Sequence, residues 1–397
     1  MLSAEENEFL SRVGPGTPAG QLLRRYWHVV AAAAELSDEK PKKKVRILGE
    51  DLVLYKDRQG NYGLVGEKCS HRGVSLFYGF VEDDGIRCAY HGWKYDACGK
   101  CIDQPFESPD SGFKEKIQHP AYPVVKLAGL LFAYMGPAEQ KPSLPKWDLL
   151  IRRDGAKRID ICEVLRCNWL QAMENSVDPT HTYFLHSHTL KLKGNPDHVP
   201  FHYRHVSKIN FELVVNPDWA GIQKQRTFAG EDAPVETPHP LIFPNILFVP
   251  VRVGYAMHFR TPVDDQNTQV FQFRFSPAKD GRANKQPDDI PTEFVRTKTD
   301  AGEFHMEDFT SQDHMAWETQ GPIADRSREH LGESDRGIIL FRKLLRDQIE
   351  AVQNGQSPAG INLDVTRDEI IPLIPENAYD AFSFAQRRAA GADTSAT

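Results

Sequence analysis

The chain has 397 residues, 40% hydrophobic and 26% charged, with 48 Lys and Arg against 55 Asp and Glu for a net charge of −7. This composition excludes a disordered chain, and the length predicts two or three domains with ample core. The acidic balance argues against a general nucleic-acid footprint, and six cysteines are too few for a disulfide framework in a chain this long.

Ser3 followed by Glu6 is a capping-box pattern that predicts a short helix towards Val13, broken by Gly14, Pro15, Gly16 and Pro18. From Trp27 the style changes. Residues 45–48, 51–55 and 62–65 are short β-rich runs, with Arg58-Gln-Gly-Asn between the last two as a hairpin signal. Closely spaced glycines follow, and residues 127–134 read as a buried closing strand. Pro137, Pro142 and Pro145 mark a linker. Beyond it, 159–165 reads as a strand and 169–185 has helical character. Residues 211–215, 241–253 and 270–275 read as strands of one larger sheet. Ser334 is the expected cap of an amphipathic helix with Ile338, Ile339, Phe341, Leu344, Leu345, Ile349 and Val352 on its apolar side, ended by Asn354-Gly355. The tail 387–397 is expected to fray. The predicted class is α+β, a small all-β domain followed by a larger mixed one. No apolar run approaches the about eighteen residues of a membrane span, and the acidic residues 1–10 do not resemble a signal peptide. A cytoplasmic protein is expected.

Two Cys/His pairs carry the first chemistry. Cys69-Ser-His71-Arg72-Gly73 is followed, sixteen residues after His71, by Cys88-Ala-Tyr-His91-Gly92-Trp93. Each pair offers one thiolate and one imidazole at the tip of a candidate β loop. A tetrahedral zinc accepts that set. So does a Rieske [2Fe–2S] cluster, in which two cysteines hold one iron and two histidines the other. Cys98 and Cys101 lie just downstream with no second pair near them, and are read as turn residues; Cys162 and Cys167 are read as buried small hydrophobes.

The spacing of these pairs, with His-Arg-Gly and His-Gly-Trp following, resembles the Rieske motif of ring-hydroxylating oxygenases. The resemblance assigns Cys69 and Cys88 to one iron and His71 and His91 to the other.

A second constellation reads Asn175-Ser-Val-Asp178-Pro-Thr-His181, with His186 five residues on. Asp178 and His181 share a helical face. His181 and His186 do not, unless Pro179 distorts the segment. Two histidines and one carboxylate hold a non-haem Fe(II) that activates O2. The pattern Asn-x-x-Asp-x-x-His-x-x-x-x-His is similar to that of the same oxygenases. The resemblance makes His181 and His186 iron ligands. It makes Asp178 the carboxylate that hydrogen-bonds His181 and passes electrons from a neighbouring subunit's cluster, with Asn175 beside it. Asp308, Asp313, Glu318 and Asp325 are candidates for the third ligand. Ser311-Gln-Asp313-His-Met-Ala-Trp-Glu318 resembles the ligand region of the phthalate dioxygenase and O-demethylase branch, which favours Asp313, with Glu318 next.

The resemblance extends over nearly the whole chain. It implies an N-terminal helix over 1–26 packed on the catalytic domain, a Rieske domain over 27–137, and a catalytic domain over 138–386 with an antiparallel, helix-grip (START-like) sheet. It implies one chain type assembled as a trimer or stacked hexamer. The function it implies is the terminal oxygenase of a multicomponent system, in which a separate NAD(P)H-dependent reductase feeds the cluster, directly or through a ferredoxin. The expected reaction is hydroxylation of an aromatic carboxylate with O2, such as cis-dihydroxylation; the alternative is oxidative O-demethylation of a methoxylated aromatic acid. Other classes are a Rieske electron carrier without catalytic iron and a zinc-stabilised binding module. A carboxylate substrate calls for a cation in an apolar pocket. Lys224, Arg226, His258 and Arg260 alternate with apolar residues at strand period, and either enter such a pocket or face solvent.

Overall fold

The computed structural model describes residues 2–187, 204–230, 235–236, 238–251, 254–278, 290–364, 366 and 369–373. The expected tail 387–397 and the end of the strand expected over 241–253 lie outside the described residues. Helix α1, Ala4–Ser11, forms its capping box: the Ser3 hydroxyl accepts from the Glu6 N–H, and the Glu6 carboxylate accepts from the Ser3 N–H at 2.7 Å. Pro18 opens a second helix, α2 (Pro18–Leu23), beneath a Thr17 cap. Its fixed φ and missing N–H suit that first position.

The small module is built of short strands: β1 (Trp27–Ala32), β2 (Lys42–Ile47), β3 (Glu50–Lys56), β4 (Tyr62–Gly66), β5 (Phe80–Glu82), β6 (Gly85–Arg87), β7 (Lys94–Tyr95), β8 (Cys101–Asp103), β9 (Ala121–Tyr122), β10 (Val124–Leu127) and β11 (Leu130–Tyr134). They make three antiparallel sheets, in the orders β1-β11-β10, β2-β3-β4-β9 and β5-β6-β7-β8. The single strand expected over 127–134 is in fact a hairpin. Ala128 at φ +50° and Gly129 at φ +75° turn the chain between β10 and β11, the two successive positive φ values of a tight hairpin turn. The proline-bearing segment after it is held in place, since the Trp27 indole donates to the Pro142 carbonyl at 3.0 Å.

The larger module contributes β12 (Lys146–Trp147), α3 (Asp148–Ile151), β13 (Gly155–Cys162), α4 (Trp169–Val177), β14 (Val206–Val215), β15 (Ala220–Phe228), β16 (His239–Ile242), β17 (Ile246–Val251), β18 (Gly254–Asp264), β19 (Asn267–Pro277), β20 (Thr292–Val295), α5 (Phe309–Glu318) and α6 (Arg336–Gln353). Its sheet runs β14-β15-β16-β17-β18-β19-β13-β20. It is antiparallel as expected except at one edge, where β20 pairs with β13 in parallel. Three boundaries differ from expectation. The strand at 159–165 starts earlier, at Gly155, because Gly155–Arg158 pair with β19 despite their polarity. The run 241–253 is interrupted at Phe243-Pro244-Asn245, where Pro244 has no N–H for the ladder. Helix α6 is capped at Asp335 and not Ser334, and Ile339 on its expected apolar side is 51% exposed.

The eight-stranded sheet is used on both faces. One face packs Met257, Phe259, Phe271 and Phe273 against Val29 and Phe132 of the small module, with Phe132 edge-on to Phe259 at 5.7 Å. The other lies under α4 and α5. There Arg260 donates to the Ala172 carbonyl, Lys224 to the Ser176 carbonyl, and Gln272 to Thr310 at 3.4 Å. Helices α1 and α2 pack on α4 and α6. Among the described residues no helix is long and apolar enough to cross a membrane.

Candidate metal centres

The two Cys/His pairs sit on loops of matching construction. Gly73 N–H donates to Cys69 O at 2.8 Å, and Gly92 N–H to Cys88 O at 3.1 Å. Cys69 N–H donates to Val74 O at 2.9 Å, and Cys88 N–H to Trp93 O at 2.8 Å. Both glycines adopt φ +73°, which L side chains rarely adopt. Cys69 and Cys88 are 3% exposed, and both thiols are free, on top of a small core with Val65, Leu76, Ile86 and Tyr95. Burial pushes the Cys69 thiol pKa up. His71 is exposed and His91 half-buried, with ring centroids 4.6 Å apart, His71 stacked on Trp93 at 4.4 Å. Two buried sulfurs below two accessible imidazoles match the asymmetry of a Rieske cluster. Among the described residues, the His/Cys/Asp/Glu group whose donor atoms all lie within 4.8 Å of one another is a different one. The Cys/His set is spread wider, as two bridged irons require and a single zinc does not. Tyr95 completes the site, its hydroxyl 3.2 Å from Cys69 Sγ.

Cys98 is exposed in a turn, as expected, but Cys101 is not a turn residue: it opens β8, buried, with its thiol towards the Asp103 carbonyl. Cys162 and Cys167 are buried, and burial pushes each thiol pKa up to about 12.

The compact group is His181, His186 and Asp313. Helix α4 ends at Val177, and after Pro179 the chain makes a π-helical turn over Thr182–His186. On an α-helix, residues five apart point about 140° away from each other. The wider π turn brings these two rings to one side, 5.2 Å apart. Each ring spends its Nδ1 on an acceptor: His181 on the Asp178 main-chain carbonyl at 2.5 Å, His186 on Gln312 Oε1 at 2.7 Å. Gln312 gives its NH2 to the Met306 carbonyl at 2.7 Å, so its oxygen faces the ring. Both Nδ1 atoms therefore carry the proton, and both Nε2 lone pairs face Asp313 Oδ1 at 3.6 and 3.3 Å. That oxygen is buried and, among the described residues, accepts no hydrogen bond. Burial opposes its charge, while each histidine, to the extent that it takes up a second proton, and Arg260 favour it; together they hold its pKa down to about 2. Three lone pairs converging with no proton between them fit a divalent metal.

The other carboxylate candidates are engaged elsewhere. Asp308 caps α5 through the Ser311 N–H at 3.0 Å. Glu318 accepts from the Arg166 N–H at 3.0 Å and pairs with Lys298 at 2.5 Å. Asp325 accepts from Ser327.

Asp178 departs from expectation. Its carboxylate is 3.8 Å from His181 Nδ1, beyond a hydrogen bond, and its main-chain carbonyl takes that proton instead. The carboxylate Oδ1 accepts from the Thr180 N–H at 2.8 Å and hydroxyl at 2.5 Å, closing the turn at Pro179. Asn175 is half-buried; its carbonyl accepts from the Asp178 N–H at 3.1 Å, and its side chain makes no hydrogen bond among the described residues.

The alternating cations face inwards. Lys224, Arg226 and Arg260 are all buried. Arg226 makes a two-pronged pair with Glu236 at 2.8 and 2.5 Å and donates to Thr182 Oγ1 at 2.9 Å, bracing the π turn. Arg260 lies 4.6 Å over the Trp317 ring. His258 is half-buried, and burial holds its pKa well down. Gln312, Thr182 and Tyr95 are missed by sequence reasoning; only Gln312, next to Asp313, carries any signal.

Residues 26–124 match the family described as the Rieske [2Fe-2S] domain, and residues 293–382 the one described as LigXa C-terminal domain like. The chain is 40% identical to the 5,5'-dehydrodivanillate O-demethylase oxygenase subunit of Sphingobium sp. (strain NBRC 103272 / SYK-6), over 94% of this chain and 86% of that one. It is 35% identical to the phenoxybenzoate dioxygenase subunit alpha of Ectopseudomonas oleovorans, over 93% and 91%. In fold it is similar to the terminal oxygenase of carbazole 1,9a-dioxygenase from Nocardioides aromaticivorans IC177, with a TM-score of 0.63 at 20% identity over 88% of this chain and 98% of that one. With the paired Cys/His loops and a partly buried two-histidine, one-carboxylate site, the chain belongs to the Rieske non-haem iron oxygenases, as an oxygenase component with a [2Fe–2S] cluster and a mononuclear iron.

Proposed function

We propose that Cys69, Cys88, His71 and His91 hold the cluster, that His181, His186 and Asp313 hold the iron, and that the chain oxygenates an aromatic carboxylate. The iron supplies O2 activation at the expense of two electrons. The chain's residues orient and select. Gln312 and the Asp178 carbonyl fix the imidazole tautomers, and the Arg226–Glu236 pair braces the turn that carries them. The substrate class rests on Lys224. Its ammonium is buried, donates to the Ser176 carbonyl, and among the described residues has no carboxylate within 4 Å. An unpaired buried ammonium is costly, and a substrate carboxylate would compensate it.

Two outcomes share this chemistry. Oxidative O-demethylation takes a methoxyarene, O2, two electrons and two protons to a phenol, formaldehyde and water. cis-Dihydroxylation takes an arene and the same reactants to a dihydrodiol. Similarity at 40% identity to an O-demethylase moves O-demethylation of a methoxylated aromatic acid ahead of ring dihydroxylation. Relatives named as oxygenase subunits support a separate NAD(P)H-dependent reductase as electron donor. We further place the cluster domain at 27–137, the catalytic domain at 138–386 and the protein in the cytoplasm. It would work as a ring of three, or two stacked rings, in which Asp178, half-buried, faces a neighbour's cluster histidine.

The test is turnover of methoxylated and unsubstituted aromatic acids with reductase, NADH and 18O2. Formaldehyde in step with NADH use is expected. Dihydrodiol carrying two labelled oxygens would select the second outcome. Preference for neutral arenes over acids would overturn the substrate class.

A further inference from the structure

His119 lies between β8 and β9, fully buried, and touches the cluster loop from below. Its Nε2 is 2.9 Å from the Gly66 carbonyl, an acceptor only, so Nε2 carries the proton. Its Nδ1 then accepts from the Ser70 hydroxyl at 2.7 Å. Ser70 stands between Cys69 and His71. One imidazole thus ties the end of β4 to the middle of the ligand loop. Its own N–H is anchored on Gly99 O at 2.7 Å. Its ring is stacked on the Tyr95 ring, with centroids 4.5 Å apart and planes at 29°. The Tyr95 hydroxyl is 3.2 Å from Cys69 Sγ. A cluster-bound thiolate has no proton, so Tyr95 donates.

We infer that His119 is a positioning residue for the cluster: through Ser70 and the Tyr95 stack it holds the Tyr95 hydroxyl on the Cys69 sulfur and thereby sets the reduction potential. A hydrogen bond donated to a ligand sulfur stabilises the reduced, more negative cluster and raises its potential. Without it the cluster accepts electrons less readily. The inference rests on Cys69 being a cluster ligand and is independent of the substrate.

The experiment is a redox titration of the loaded protein, followed by electron paramagnetic resonance, in Tyr95→Phe, His119→Phe and the double variant. Tyr95→Phe removes the hydrogen bond itself. His119→Phe keeps a ring over Tyr95 but loses both polar tethers. Both single variants should lower the midpoint potential, and the double variant should lower it no further than Tyr95→Phe, because both act through one contact. A tenfold change in the electron-transfer equilibrium reads as 59 mV for this one-electron couple. An unchanged potential in His119→Phe, or shifts that add, would overturn the inference. Should His119→Phe fail to load a cluster, Ser70→Ala removes the same tether from the loop side; a lowered potential supports the inference and an unchanged one ends it. If Cys69 were not a ligand, Tyr95→Phe would also shift nothing, which separates that failure from an inert His119.

Discussion

Asp313 Oδ1 and His186 Nε2 stand 3.3 Å apart, and neither has a proton to offer the other. The imidazole proton is on Nδ1, given to Gln312, and Arg260 favours the ionised form of the carboxylate. His181 repeats the arrangement from the other side at 3.6 Å. A direct hydrogen bond would relieve that repulsion only if a ring flipped its tautomer and abandoned Gln312 or Asp178. A cation relieves it with no rearrangement.

Asp313→Ala should therefore lose mononuclear iron and activity while keeping the visible spectrum of the cluster. Gln312→Leu, which frees the His186 tautomer, should weaken Fe(II) binding by about 10–100-fold. Metal analysis and anaerobic Fe(II) titration read both. Normal iron content in Asp313→Ala would return the third ligand to open question.

Cys88→Ser should bleach the cluster bands and spare the mononuclear iron; intact bands would refute the ligand assignment. Asp178→Asn should keep both metals, because an amide oxygen can still accept from Thr180 and the His181 proton goes to the main chain. Its turnover should still fall if the carboxylate serves a neighbour's cluster. Mixing Cys88→Ser chains with His181→Ala chains, each inactive, should then restore part of the activity once subunits exchange. Mixed oligomers that form and stay inactive would show that electrons cross within one chain.

The residues proposed to bind metal were legible because their spacing is local and chemically constrained. Cys69-x-His71 and Cys88-x-x-His91 name their own loops, and Pro179 signals the distortion that His181 and His186 need. What failed to show depends on the fold. The sequence alone leaves Lys224 and Arg226 equally suited to solvent or pocket; only the register of β15 beneath α4 buries them. Nothing in the row separates an Asp178 carboxylate from an Asp178 carbonyl as the partner of His181. The hairpin at Ala128-Gly129 is hidden because the residues next to it, Leu127 on one side and Leu130 to Ala133 on the other, are all apolar.

Glu174 is the most exacting structural charge. Buried in α4, it accepts from Arg326 at 2.8 and 2.7 Å and from Arg342 at 2.6 Å, while Arg326 also donates to Asn7 at 2.9 Å. The network joins α1, α4 and α6. Burial raises its pKa, but the two guanidiniums outweigh that and hold it below the usual carboxylate range. Glu174→Ala leaves the buried Arg326 without a counter-charge, while Arg342 keeps its two-pronged pair with Glu329 at 2.7 and 2.8 Å, and should cost about 3–5 kcal/mol, read as a fall in the denaturation midpoint. Loss of under about 1 kcal/mol would show that solvent replaces the carboxylate.

Lys224 gives a pH signature. Burial, helped by Arg226 and Arg260 and opposed by Glu236 and Asp178, lowers its pKa from 10.5 to about 7. In the free protein the ammonium is therefore fully present only below that pH. A bound carboxylate favours the charged form and raises the pKa, so substrate binding takes up a proton above pH 7. Affinity for an aromatic acid should be constant below pH 7 and fall up to tenfold per unit above it, with kcat less affected. Lys224→Arg should flatten the profile, and Lys224→Met should raise KM by about 30-fold at pH 7, the ~2 kcal/mol of a charged hydrogen bond. Stability has its own sign. Between pH 7 and 10.5 the unfolded lysine binds a proton that the native one has released, so native stability rises with pH across that window. Lys224→Met, freed of that penalty, should be more stable than the parent at pH 7 without substrate and gain less from it. A KM independent of pH from 6 to 9 in the parent would remove Lys224 from the substrate site.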